Sequence, residues 1–365
     1  MQPPVHSSAP ASKLRGPGAR GERAARRAAG ARPSLFVLGL LLGLGACRGE
    51  PPATALRTLP RPDASGRLLV AEVGFAAPQA ALYDSAQDVY FVSNANGDPA
   101  ARDANGFISR VGPDGAVRDL KWIAGSRDMP LHAPRGMALK GDTLVVADVG
   151  VVRMFDRTTG APLQSRVVPG HALADVAVAP DGTVFVSDLG AVVPTDAPAP
   201  APTAHAAVPR PASTGVRRAG AADAASRDSL EPATIYRLGR YDAFPIARGT
   251  HLERPSGIVA DRSGVIVAPF GGRTIYRIGR GGARTPLATL PQGRLDGLLR
   301  LSDGDLVVTS WDAQAVYRVR PGGGPAETVV RGVATPAQPG LDTRRGRLLL
   351  PLPGREALLI VPLRH

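Results

Sequence analysis

The feature that most constrains this chain is a repeat of roughly 40 residues, built from short apolar runs. Residues 296–319 hold three such runs, with a tight turn at Asp303-Gly304 between the first two. Residues 256–278 repeat the arrangement, and their final Tyr-Arg-Ile matches the Tyr-Arg-Val that ends the other copy. Short strands repeated at this period are typical of a β-propeller, in which each repeat forms one blade.

Six copies of the repeat can be traced along the chain. The residues just before the six inner strands are Gln79, Arg135, Ala174, Ser256, Asp296 and Ala337. The sixth copy ends one strand short, and a spare apolar strand at residues 68–71 can complete it. Such closure protects sheet edges that an open array would expose. The sequence therefore predicts an all-β, six-bladed β-propeller over residues 66–365, with the N-terminal strand closing the last blade.

Other architectures fit less well. A β-sandwich would not repeat at this length, and a helical solenoid would need an apolar spacing of about 3.6 residues. The third copy is interrupted by residues 192–232, which are rich in Pro and Ala and lack apolar periodicity. Such a segment cannot bury enough surface to offset the entropy lost on ordering. We therefore expect a disordered insertion in blade three.

A basic stretch followed by a short apolar run opens the chain. The run at residues 35–44 is too short to span a bilayer, which needs about 20 residues, and is typical of a secretory signal. Residues 44–47, Leu-Gly-Ala-Cys, resemble the bacterial lipoprotein box, in which the signal peptidase cuts before the Cys and a lipid is attached to its sulfur. The resemblance implies a signal peptide over 1–46, lipidation of Cys47 and a flexible tether over 47–65. A buried structural Cys is the alternative.

This resemblance also implies a location. The protein would be held by a lipid anchor in the bacterial cell envelope, on its periplasmic or extracellular face. The formal net charge is +13, and residues 1–47, with seven basic residues and one acidic residue, contribute +6 of it. The other Arg residues are scattered and form no basic run with interleaved aromatic residues, so nucleic-acid binding is not expected. The sequence also lacks a G-x-S-x-G elbow, an H-E-x-x-H motif and a phosphate-binding Gly loop.

The inner strands of a propeller line its central channel, so residues that precede them converge at one mouth. This face, concave and rich in polar groups, is the expected site for a small molecule or a protein. The candidate ligand-binding residues are Gln79, Arg135, Ser256, Asn94 and Trp311.

Several stretches carry a resemblance to a known family. They are residues 82–84, 89–94, 106–111, 120–125, 133–138, 296–298 and 310–311. Over about residues 82–363, the chain resembles the gluconolactonase, or senescence-marker-protein, family of six-bladed propellers, with related NHL-type repeats. The resemblance implies a divalent cation, often calcium, in the channel mouth and lactone hydrolysis there. The family's Glu, Asn and Asp ligands correspond to Gln79, Ser256 and Asp296, so only the Asp is retained and the formal charge of the three falls from −2 to −1.

Two further residues are candidates for acid–base chemistry. Asp175 could place a second carboxylate in the channel, and His132 could act as a base near neutral pH. Structural roles are the alternatives, because Asp296 can cap a turn, His132 can be a solvated loop residue, and Arg135 can pair with either carboxylate. We therefore expect a monomeric, lipid-anchored propeller that is either a lactone or ester hydrolase, with Asp296 central, or a non-catalytic binder using the same face.

Overall fold

Six four-stranded antiparallel sheets follow one another along the chain in a computed structural model, which describes residues 59–190 and 232–363. The expectations for the signal peptide, for Cys47, for most of the tether and for the insertion, apart from Pro232, fall outside these residues. Among the described residues, no helix is long and apolar enough to cross a membrane. The described residues contain two short 3-10 helices, Thr250–Leu252 and Pro353–Arg355.

Blades one to five take their strands in chain order from the inner to the outer edge. Blade one contains β2 (Pro78–Asp84), β3 (Val89–Asn94), β4 (Phe107–Val111) and β5 (Val117–Ala124). Blade two contains β6 (Met137–Lys140), β7 (Thr143–Asp148), β8 (Val151–Asp156) and β9 (Pro162–Val167). Blade three contains β10 (Leu173–Val178), β11 (Val184–Asp188), β12 (Thr234–Leu238) and β13 (Ala243–Arg248).

The second half of the chain repeats this plan. Blade four contains β14 (Pro255–Asp261), β15 (Gly264–Pro269), β16 (Thr274–Gly279) and β17 (Arg284–Thr289). Blade five contains β18 (Leu295–Arg300), β19 (Leu306–Ser310), β20 (Ala315–Val319) and β21 (Glu327–Arg331). Blade six contains β22 (Gly340–Asp342), β23 (Arg347–Leu352), β24 (Ala357–Pro362) and the N-terminal strand β1 (Leu68–Val70).

The strand β1 completes blade six as its outermost strand. It pairs antiparallel with β24, with Leu68 opposite Ile360 and Val70 opposite Leu358. Val70 is fully buried in a core cluster that also contains Leu358. The predicted all-β, six-bladed propeller with its N-terminal closing strand is therefore confirmed.

The second strand of each blade is the most deeply buried. All six residues of β3 are buried, whereas the outer strand β5 alternates between exposed and half-buried positions. The apolar side chains fill the spaces between adjacent blades, so that Phe185 of blade three packs in one cluster with Ile258 of blade four. A strand with neighbours on both faces needs such an unbroken apolar run, which is the pattern that the sequence shows.

The inner strands approach one another closely around the channel. A Cβ atom added to Gly257 would come within 2.5 Å of the backbone of Asp296 and Leu298, and one added to Gly340 would lie 2.6 Å from the Ala81 carbonyl oxygen. Real Cβ atoms do not approach backbone so closely, so glycine is required where the inner strands of neighbouring blades meet. This contact explains why Gly257 and Gly297 recur at the same place in their repeats.

Side-chain hydrogen bonds tie each inner strand to the second strand and to the next blade. The Ser93 hydroxyl accepts from the Ala80 N–H at 3.0 Å and donates to the Arg135 carbonyl at 2.7 Å. The Ser187 hydroxyl makes the equivalent pair of bonds from blade three to blade four. The two hydroxyls thus fix the backbone at Arg135 and Ser256, two of the candidate site residues.

Candidate functional site at the channel mouth

The Asp296 carboxylate is the centre of a hydrogen-bonded cluster between blades four and five. Ser256 Oγ donates to its Oδ1 at 2.7 Å, and the Trp311 indole N–H donates to its Oδ2 at 3.2 Å. Ser256 is buried, whereas part of Asp296 remains open to the channel. Burial raises the pKa of the Asp296 carboxyl, although the Ser256 bond, the charge of Arg135 and the Trp311 bond act in the opposite direction.

Arg135 lies beside this cluster without being bonded to it. Within the described part of the chain, its guanidinium makes no hydrogen bond or ion pair. It lies close enough to Asp296 and Arg254 to interact electrostatically with both. Burial lowers the pKa of Arg135, and the Asp296 charge opposes that shift. A guanidinium carries five N–H donors and no acceptor, so this side chain can offer several donors to a ligand in the channel.

Asp175 lies in the same ring, but both of its oxygens are engaged by backbone. The Val176 N–H donates to Oδ1 at 2.8 Å, and the Ile258 N–H of blade four donates to Oδ2 at 2.9 Å. The residue is 2% exposed, and burial raises the pKa of its carboxyl well above the usual range. Asp175 therefore joins blades three and four, and the structure gives it little surface on which to meet a substrate.

Gln79 lies in the inner strand β2 of blade one, and Gln338 lies beside it, two residues before the inner strand β22 of blade six. Gln79 Nε2 donates to the Ala77 carbonyl at 3.2 Å. Gln338 spans to blade five, where its Oε1 accepts from the Leu298 N–H at 3.2 Å and its Nε2 donates to the Leu298 carbonyl at 3.1 Å. Gln338 follows Ala337, the residue selected in front of the sixth inner strand. The sequence analysis therefore did not predict that Gln338 bridges to Leu298 of blade five.

His132 lies in a loop and Asn94 is the last residue of β3, and neither contacts the Asp296 cluster. His132 Nδ1 accepts from the Ala104 N–H at 3.0 Å. The buried Asn94 amide bonds to the Ala76 N–H, the Val92 carbonyl and the Ser109 hydroxyl. The structure therefore brings Ser256, Trp311 and Arg135 to Asp296 but shows no such contact for His132 or Asn94.

A groove of about 600 Å³ opens between blades four and five, next to the Asp296 cluster. Its lining residues are Arg254, Phe270, Gly271, Gly272, Arg273, Gly293, Arg294 and Asp312. The Trp311 ring meets the Phe270 ring edge-to-face at 5.1 Å, and the Arg294 guanidinium lies 5.1 Å from the centre of each ring. The sequence predicted Trp311 at this face, but not the groove that residues 270–273, 293–294 and 312 form beside it.

Calcium does not fit this channel mouth. The described residues contain no group of three or more His, Cys, Asp or Glu side chains that could hold a metal ion. One of the Asp296 oxygens faces an indole N–H, which is only a donor, and Arg135 lies nearby. Hard cations favour several oxygen ligands, preferably charged. The predicted metal ligands Gln79 and Ser256 are neutral, so a divalent cation would meet one carboxylate and a positive neighbour.

Comparison with solved structures finds several proteins of similar fold at low sequence identity. A gluconolactonase from Xanthomonas campestris matches with a TM-score of 0.56 and 17% identity, over 82% of this chain and 90% of that chain. A putative gluconolactonase matches with a TM-score of 0.54 and 17% identity, over 84% and 97% of the two chains. The virginiamycin B lyase from Staphylococcus aureus matches with a TM-score of 0.53 and 11% identity, over 82% and 99%.

These likenesses confirm the predicted resemblance to the gluconolactonase propellers at the level of the fold. No protein-family model and no curated protein sequence matches the chain.

Proposed function

We propose that this protein is a ligand-binding propeller whose channel mouth takes a small organic molecule with an anionic group. The observation that carries the proposal is the Arg135 guanidinium, which lies at the mouth with its donors unused by the rest of the described chain. Arg254 adds a second positive charge close by. A carboxylate or phosphate suits these charges, because a guanidinium binds either group through two parallel hydrogen bonds.

The Asp296 cluster supplies the remaining polar contacts. Asp296 is held by Ser256 and Trp311, so its position is fixed before a ligand arrives. Its exposed part can accept a hydrogen bond from a ligand hydroxyl, while Arg135 takes the acidic group. Hydroxy acids combine these two features, and we propose them as the ligand class.

Lactone or ester hydrolysis is the second candidate function, and it does not require the metal. The fold is shared with proteins named gluconolactonase and lyase, and burial raises the pKa of Asp296. A carboxyl group with a raised pKa can act as a general acid or base nearer to neutral pH. The engagement of both Asp296 oxygens by other side chains favours binding over this reaction.

The two functions can be separated with the purified protein. Thermal unfolding would be followed with gluconate and with gluconolactone, for the natural protein and for Arg135→Ala and Asp296→Asn. A ligand at ten times its dissociation constant adds about 1.4 kcal/mol, which would raise Tm by about 2–4 °C. We expect gluconate to produce this shift in the natural protein and to lose it in Arg135→Ala, with lactone hydrolysis no faster than in buffer.

The opposite result would assign catalysis. Hydrolysis of the lactone that is lost in Asp296→Asn, whether or not a chelator is present, would identify a hydrolase and overturn the binding proposal. Arg262→Ala serves as a control, because Arg262 is exposed in the β14–β15 turn, away from the residues that line the mouth.

We also propose that the protein acts in the bacterial cell envelope as a lipid-anchored monomer. The support is the Leu-Gly-Ala-Cys sequence that ends at Cys47, preceded by a basic and then an apolar stretch. Labelling with a radioactive fatty acid tests the anchor, because Cys47→Ala should abolish incorporation.

A further inference from the structure

We propose that the groove between blades four and five is a separate subsite for a dianionic group, specifically the phosphate of an organic monoester. This inference deepens the proposed function, because it places a second recognition element beside the channel mouth. It does not depend on Arg135, since the groove has its own positive charges.

The charge of the groove is the first observation. Three arginines line it, Arg254, Arg273 and Arg294, against the single carboxylate of Asp312. The Arg294–Asp312 pair is long, at 4.0 Å, and both side chains are more than 40% exposed. The net charge of the lining is therefore +2, and a dianion neutralises it where a monoanion leaves an excess.

The shape of the groove is the second observation. Its volume of about 600 Å³ suits a small organic molecule. Phe270 forms an apolar wall, with the Arg254 guanidinium 5.3 Å and the Arg294 guanidinium 5.1 Å from the ring centre. Held against this ring, the Arg294 guanidinium presents its N–H donors in a fixed direction, and the arginine fork matches phosphate geometry.

The floor of the groove is kept open by glycine. A Cβ atom on Gly293 would lie 3.2 Å from the Gly272 carbonyl oxygen and 3.4 Å from Asp312 Oδ2. A side chain at Gly293 would therefore enter the space between the two loops. Its absence lets a ligand approach the arginines from the solvent side.

Trp311 lies between the groove and the Asp296 cluster and contacts both. The indole N–H of this residue bonds to Asp296, while its ring contacts Phe270 and Arg294. The charge of Arg294 also acts on Asp296, and that of Arg254 on Arg135. A ligand phosphorylated at one end can thus place its phosphate in the groove and its other end at Asp296.

Isothermal titration calorimetry with three simple probes tests the inference. Phenyl phosphate is a dianion at pH 8, benzenesulfonate is a monoanion of similar shape, and inorganic phosphate lacks the aromatic body. We expect phenyl phosphate to bind at least about tenfold more tightly than either of the others, because it alone satisfies both the charge and the apolar wall.

Variants show where the phosphate binds. Arg273→Ala with Arg294→Ala should weaken phenyl phosphate binding by about tenfold or more, since both side chains are exposed and their loss leaves the fold intact. Arg262→Ala should leave it unchanged.

Three outcomes would overturn the inference. Equal affinity for phenyl phosphate and benzenesulfonate would show that the site does not prefer a dianion. Undiminished binding by the double variant would show that phenyl phosphate does not bind in the groove. Loss of phenyl phosphate binding only in Arg135→Ala would show that the anion binds at the channel mouth. That result would support the proposed function and reject the separate subsite. Loss of gluconate binding in Arg135→Ala would establish the channel mouth independently of these results.

Discussion

Ser256 Oγ donates a 2.7 Å hydrogen bond to Asp296 Oδ1, and this bond joins blades four and five at the channel mouth. The two residues occupy equivalent positions in their repeats, because each is the second residue of its inner strand. A hydroxyl bonded to a buried carboxylate fixes both the position and the ionisation of that carboxylate. The bond therefore contributes both to the stability of the propeller ring and to the ionisation of the Asp296 carboxyl.

Removal of this hydroxyl should destabilise the protein measurably. Ser256→Ala leaves a carboxylate oxygen without its donor, and a hydrogen bond to a charged group contributes about 1.5–3 kcal/mol. The pKa of Asp296 should rise further, because the Ser256 bond now lowers it. Urea denaturation measures the loss in the free energy of unfolding.

Ser263→Ala is the matched control for that experiment. Ser263 Oγ donates to Asp261 Oδ1 at 2.6 Å in the exposed turn of the same blade. Surface substitutions of this kind change the free energy of unfolding by about 0.5 kcal/mol or less. Equal losses for the two variants would show that burial adds nothing to the Ser256 bond.

A chelator should leave the protein unchanged. The channel mouth offers one carboxylate beside a guanidinium, which is unfavourable for calcium. We expect EDTA to shift Tm by less than about 1 °C and millimolar calcium to release no heat of binding, because a ligand that does not bind the native state cannot stabilise it. A fall in Tm with EDTA that calcium reverses would restore the metal site implied by the family resemblance.

The sequence was sufficient for the fold because each blade carries its own local pattern. The turn at Gly304 and the glycines at 257 and 297 recur in register, so the repeat identifies inner strands without knowledge of contacts. The missing strand of blade six could be assigned to residues 68–71 because no other free strand remained. Position in the repeat also placed Ser256 and Asp296 on the same ring.

The roles of individual side chains could not be read in the same way. Asp175 accepts a hydrogen bond from the Ile258 N–H, 83 residues away, and this contact depends on the relative height of two blades. The groove depends on separate loops, which bring Arg254 and Arg294 against Phe270. Such relations are set by packing between blades, and no periodicity in the sequence encodes them.

The pH dependence of stability should report the buried carboxyls. The pKa of Asp175 in the folded protein lies above its ordinary value of 3.8, because burial disfavours the charged form. The native state therefore holds this proton to higher pH than the unfolded chain does, and the free energy of unfolding falls as pH rises from about 4 through the folded pKa. Asp175→Asn should flatten this fall, while losing about 1–3 kcal/mol because an amide has only one oxygen for two N–H donors.

Asp181→Asn is the control for the pH series. Asp181 is exposed, and the Thr183 N–H lowers its pKa, so its contribution to stability is lost only as pH falls below the ordinary carboxyl range. Urea denaturation between pH 5 and pH 8 should therefore give curves of the same slope for this variant and the natural protein. Parallel curves for Asp175→Asn would mean that the Asp175 carboxyl is ionised throughout that range.

Closure of the ring by β1 can be tested through Val70. This side chain is fully buried against the last blade, in the cluster that contains Leu358. Val70→Ala removes two methyl groups and leaves a cavity, which should cost about 2 kcal/mol in the free energy of unfolding. Leu59→Ala, at a position 55% exposed, should cost about 0.5 kcal/mol or less. If the two substitutions cost the same, the ring does not depend on the N-terminal strand, because an unpaired strand would leave Val70 in water as well.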